Sequence, residues 1–234
     1  MSSPIPGTDF DIDLTAPNFA DELLHIGATG QLSYAPLGTE LPAGMGAYES
    51  PIVTMGWLSD EGLSEAIADE SESFTPWQAQ GQIRTSVSSR EFTFTATVWA
   101  LGGLANALRY GVPEEDMTWV EDGQYAEFSQ GGEDIIEDYR FVLPIDILDG
   151  KKHRRFILPE ASVAERSDTT YTKGALTGYP FTFRANLSNE HGFSILRRFK
   201  EGWKPGTAGT LLAGDAAGKS FGDWSTPVEG AVNP

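Results

Sequence analysis

GQIRTSVSSREFTFTATVWALGGLANALRYG, residues 81–111, decides the fold. Within 91–99, Phe92, Phe94, Ala96 and Val98 share one face, and Thr93, Thr95 and Thr97 share the other. A period of two in β-branched and aromatic residues is the pattern of a half-buried strand. Phe92 and Phe94 are therefore expected in the core. Residues 82–88 read as a second strand. Leu101, Leu104 and Leu108 lie three and four apart, the period of a short amphipathic helix. Gly111 and Pro113 stand where that helix should stop.

Working outward, the odd positions Tyr139, Phe141, Leu143, Ile145 and Ile147 are all apolar. Asp149-Gly150 follows, the preferred pair for a two-residue hairpin turn. That register places Asp146 opposite His153. Residues 169–172, 179–187 and 192–199 supply further strands, and 31–37 and 52–58 read as short ones. Between the last two, 38–51 is rich in Gly and Pro and reads as a long loop. Residues 1–20 look extended, 19–25 suit one helical turn, and 204–234, rich in Gly, Ala and Pro, read as a tail. Closely spaced strands with one short α-helix give a mainly β fold, a β-sandwich or open barrel. The expected division is an arm at 1–29, a β domain at 30–203 and a tail at 204–234.

The chain of 234 residues has no cysteine, so thiol catalysis, zinc thiolates and disulfides are excluded. Its N-terminus has no basic region followed by an apolar run, and no apolar run approaches the length of a bilayer span. The net charge of −18 is unevenly spread. Residues 1–83 hold 13 acidic and no basic side chains, whereas 151–204 hold 5 acidic and 11 basic. A DNA-gripping protein needs a cationic footprint, and most of this chain would repel DNA. The imbalance suits an acidic, solubilised protein. It also suits a subunit whose acidic and basic faces meet between copies.

Each candidate chemical site has a plainer reading. AGDAAGKS at 213–220 lacks the first glycine of a phosphate-binding loop, since that position is Ala213. Asp9, Asp11 and Asp13 imitate half a calcium loop, but Leu14 and Ala20 stand where Gly and Glu are needed. Glu114, Glu115 and Asp116 follow Pro113 and read as a solvated turn rather than a glycosidase pair. His25, His153 and His191 fall in three contexts, none with metal-ligand spacing. Trp57, Trp77, Trp99 and Trp119 read as core or interface anchors. No catalytic residue, metal ligand or cofactor site is expected.

The order of segments over 30–110 resembles the tail tube proteins (major tail proteins) of long, non-contractile-tailed bacteriophages. The motif Gly-x-x-x-x-Ala-Pro-x-Gly-Thr-x-x-Pro is matched by Gly30, Ala35, Pro36, Gly38, Thr39 and Pro42. A Gly-hydrophobic-x-Ser-x-Asp/Glu-Gly turn follows at 56–62, then Trp77-Gln78, the Thr/Phe strand, the helix and the Tyr110-Gly111 stop. YPFTFRANL at 179–187 resembles the family's late strand. The resemblance implies a structural, non-enzymatic virion protein, made in the host cytoplasm, with a β-sandwich subunit and extended terminal arms. It implies rings of six stacked into a tube. The implied partners are other copies, a tape measure protein in the lumen, and tail terminator and distal tail proteins. DNA would pass through at ejection without specific binding, and no membrane is involved.

In such a tube, Thr93, Thr95 and Thr97 are candidates to face the lumen. Leu41, Met45 and Tyr48, apolar groups on the long loop, are candidates for inter-subunit contact. The alternative is that they fold back onto their own domain. Two other functions compete with the tube: a β-sandwich binding or adhesion module with an exposed aromatic patch, and a hydrolase built on acidic residues.

Overall fold

The structure, a computed structural model, describes residues 3–4, 11–12, 24–78, 80–131 and 139–202. It contains β1 (Ser3–Pro4), β2 (Asp11–Ile12), β3 (Thr29–Pro36), β4 (Val53–Thr54), β5 (Leu58–Phe74) and β6 (Arg84–Val98). These are followed by α1 (Gly103–Tyr110), a 3-10 turn at Glu114–Asp116, β7 (Thr118–Val120) and β8 (Tyr125–Glu127). The chain continues through β9 (Phe141–Asp149), β10 (Lys152–Arg166), β11 (Tyr179–Ala185) and β12 (Leu196–Lys200). The fold is mainly β, as expected. Contacts divide the chain into two units. The larger unit spans Thr29–Ile147 and Arg155–Arg198; the smaller takes in Met1–Ala28, Leu148–Arg154 and Phe199–Pro234.

The main sheet runs β4-β3-β9-β10-β11-β6-β5, with β12 paired to β10 off that path. Strands β3 and β5, near opposite ends of this order, approach one another, so the sheet curls like an open barrel. Its inner face is the core: Leu32, Phe94, Val98, Phe141, Leu143, Leu158, Phe181 and Phe183 are each fully buried. The Thr/Phe alternation selects this face. Phe94 is sealed, Phe92 is half-buried and Thr95 is exposed. Helix α1 closes one end of the core with Ala105 and Leu108, while Leu101 lies before the helix at 36% exposure. Gly111, at φ 70°, terminates α1 in the left-handed region that glycine tolerates.

Several local readings change. The two strands expected at 82–88 and 91–99 are one continuous strand, β6, over Arg84–Val98. The turn expected at 56–62 is instead the entry to β5, a strand of 17 residues that sequence reading missed. Its register against β6 shifts between Leu58 and Leu63, and Gly62 sits there at φ 72°. Residues 52–58 form only the two-residue β4 before β5 begins, and 169–172 form no strand. The β9–β10 turn falls at Gly150-Lys151, one residue later than expected, because Asp149 still belongs to β9. Asp146 therefore meets Arg155, not His153. The segment 213–220, Asp9, Asp13 and residues 19–23 of the expected helical turn lie outside the described residues.

Candidate assembly surface

Three features of the larger unit present surface that a single copy does not use. The first is the β5–β6 hairpin. Register from Ile67↔Phe92 to Phe74↔Arg84 carries the hairpin beyond the core. At about 3.3 Å per residue, that stretch projects roughly 25 Å. Ile67, Phe74, Ile83 and Val87 are half or more exposed, and Trp77 at the tip is 99% exposed. Asp69 and Arg90 pair across the arm at 2.5 Å, and the Ser89 hydroxyl donates to the Glu70 carboxylate at 2.9 Å. The Arg90 guanidinium, hydrogen-bonded to Asp69, holds that carboxyl below its ordinary range. A two-stranded ribbon has too little core to be stable alone. Its exposed apolar residues are the kind of surface that interaction sites use.

The second feature is the face opposite the core on β5, β6 and β11. Register aligns Ser64, Thr95 and Thr182 across three strands, and Ala66, Thr93 and Arg184 beside them. The hydroxyls of Thr95 and Thr182 lie 3.2 Å apart. Arg184 donates to Glu91 at 2.5 Å, so the one cation in this patch is neutralised. The three expected threonines thus share one hydroxylated face, beside the Arg184–Glu91 pair, with Thr97 next to Pro180.

The third is the loop 37–52, which lies over the other face of β3, β9 and β10. Both faces of β9 are consequently buried from Phe141 to Asp146. Leu41, Ile52 and Leu196 pack against Ala35, Val142 and Ile157. Arg155, 3% exposed, donates to the Asp146 carboxylate at 2.7 Å and to the carbonyls of Gly44 and Gly46 at 2.9 and 2.8 Å. Its guanidinium stacks 4.2 Å from the centre of the Tyr48 ring. Arg198 donates to the carbonyls of Pro42 and Gly44. Burial, and next the neighbouring Asp146 carboxylate, push the Tyr48 hydroxyl pKa well up. Leu41, Met45 and Tyr48 are all half-buried, with Leu41 packed on the sheet and Tyr48 on Arg155.

The remaining candidates stay scattered. Glu114, Glu115 and Asp116 form an exposed 3-10 turn. His25 lies 3.9 Å from Glu201 in the smaller unit, and His191 stacks near Phe193. Among the described residues no cluster of three metal-ligating side chains occurs. Trp57 and Trp119, at 81% and 55% exposure, are surface groups rather than core. The hairpin arm was the main feature hidden from sequence reading. Its signal was the run of Ser and acidic residues from Ser59 to Ser73, whose period of two carries almost no apolar contrast.

Residues 16–193 match the family described as phage tail tube protein. No curated protein matches the sequence.

Proposed function

Because the chain belongs to the phage tail tube protein family, and is thereby a structural component of a phage virion, we propose how it builds the tube. Subunits form rings, six to a ring, and the rings stack head to tail. The tape measure protein occupies the lumen during assembly, terminator and distal tail proteins close the ends, and DNA passes through at ejection. The observation that carries this reading is the β5–β6 arm, which holds apolar groups in water on a ribbon too thin to bury them. In a ring or stack those groups are covered by neighbouring copies. A contact between unlike surfaces, repeated in one direction, is what propagates a tube.

The hydroxylated face of Thr93, Thr95 and Thr97 suits the lumen. It offers DNA phosphates no free cation, and counterion release is the main source of non-specific DNA affinity. The loop carrying Leu41, Met45 and Tyr48 is anchored to its own sheet and offers its outer side to a neighbouring subunit. The arm at 1–29 and the tail at 204–234 add contacts between rings.

Replacing residues 70–89 by an Asn-Gly turn tests this. That change keeps the Asp69–Arg90 pair at the hairpin's base. The shortened protein should melt like the native one and remain monomeric by sedimentation at concentrations where the native chain assembles. Unimpaired assembly by the shortened protein would contradict the role given to the arm. A native chain that stays monomeric would favour a binding module instead.

A further inference from the structure

Resting on that tube reading, we propose that Trp77 of one subunit seats in the cavity beneath the loop 39–52 of a neighbouring subunit. The knob and the hole both belong to the larger unit. At 99% exposure the Trp77 indole touches almost nothing of its own chain. It is nonetheless held out firmly, because the hairpin is paired up to Phe74↔Arg84 and the Ile83 amide donates to the Phe74 carbonyl at 3.0 Å. The hole is an open cavity of about 510 Å³ lined by the loop and Arg155. Its apolar wall is Leu41, Ala43, Tyr48 and Ile52. No residue of the arm lines it, so the tip does not fill it within one chain.

The cavity is suited to an aromatic guest. Its volume leaves room for an indole ring. Its walls are fixed in advance, since Arg155 and Arg198 together hold the carbonyls of Pro42, Gly44 and Gly46. A pre-formed wall lowers the ordering cost of docking. Tyr48 and the Arg155 guanidinium offer an indole ring contacts and cation–π attraction. Tip and cavity are unlike surfaces, so their contact is heterologous and repeats from copy to copy.

The absence of cysteine gives a clean test. Gln78→Cys, beside the anchor, and Ala47→Cys, at the cavity wall, are made on separate chains. The two proteins are mixed, assembled and oxidised. A disulfide-linked dimer that appears only in the mixture is expected. In parallel, Trp77→Ala should leave the melting temperature unchanged and raise the concentration needed for assembly about 30-fold, the loss expected for one aromatic anchor. Tubes that grow normally from Trp77→Ala, with no cross-link in the mixture, would overturn the seating of Trp77 while leaving the tube reading intact. Failure of the native chain to form rings or tubes at any concentration would overturn both.

Discussion

Asp146→Ala is the most informative single change to the subunit. Asp146 and Arg155 are 5% and 3% exposed, and their side chains meet at 2.7 Å. Removing the carboxylate leaves a buried guanidinium without its counter-charge, and breaking such a pair costs about 3–5 kcal/mol. Arg155 keeps the carbonyls of Gly44 and Gly46 and the Tyr48 ring, which places the loss near the lower end, about 3 kcal/mol. For a chain of this size that lowers the melting temperature by about 6–12 °C. Urea denaturation should show a lower midpoint with an unchanged slope. Hydrogen exchange should speed up at the amides of residues 44–48, because the loop loses its anchor. Asp146→Leu combined with Arg155→Met should recover much of the stability, since it removes both charges and fills their space. Arg90→Ala, which breaks an exposed pair on the arm, should leave the melt almost unchanged. A loss below about 1 kcal/mol for Asp146→Ala, with loop protection intact, would refute the reasoning.

Phe94→Ala should cost about 3–5 kcal/mol, because the ring is fully buried and packs 5.7 Å from Phe156. Thr95→Ala should lose far less, and equal losses in thermal melts would refute the assignment of faces. Burial is the first cause raising the hydroxyl pKa values of Tyr34, Tyr48 and Tyr179; Tyr139, Asp146 and Tyr110 respectively add to it. A raised folded pKa means that stability is fully present below the unfolded tyrosine value of about 10 and is lost above it. Melting temperature should therefore be flat approaching pH 10 and fall beyond it, with three tyrosines ionising only on unfolding in a titration followed by ultraviolet absorbance. Ionisation of Tyr34, Tyr48 and Tyr179 near pH 10 in the folded protein would contradict their burial. Duplex DNA should show no mobility shift at physiological salt, and a shift that weakens steeply with added salt would contradict the surface charge reading.

Strands with strong apolar contrast were legible in the sequence. In β6, β9 and β11 aromatic and aliphatic residues alternate, and the burial follows them to Phe94, Phe141, Phe181 and Phe183. Helix α1 was legible from Leu104, Leu108 and its glycine stop, although Leu101 lies before it. β5 was not, because a strand leaving the core keeps its backbone pairing but loses the apolar face that betrays it. The β9–β10 register was misread by one residue for a related reason. Asp149-Gly150 is a good turn pair, but the turn at Gly150-Lys151 brings Asp146 to Arg155, a pairing that local turn preference does not encode. The loop's length was visible from its Gly and Pro content. Its anchoring was not, since it depends on Arg155 and Arg198, more than a hundred residues away along the chain.

Electron microscopy of the purified protein across a rising concentration series tests the central claim most directly. The account predicts rings and then hollow tubes of uniform diameter, built from this chain alone. Dispersed 25.3 kDa monomers at every concentration, with no ring or tube, would contradict it.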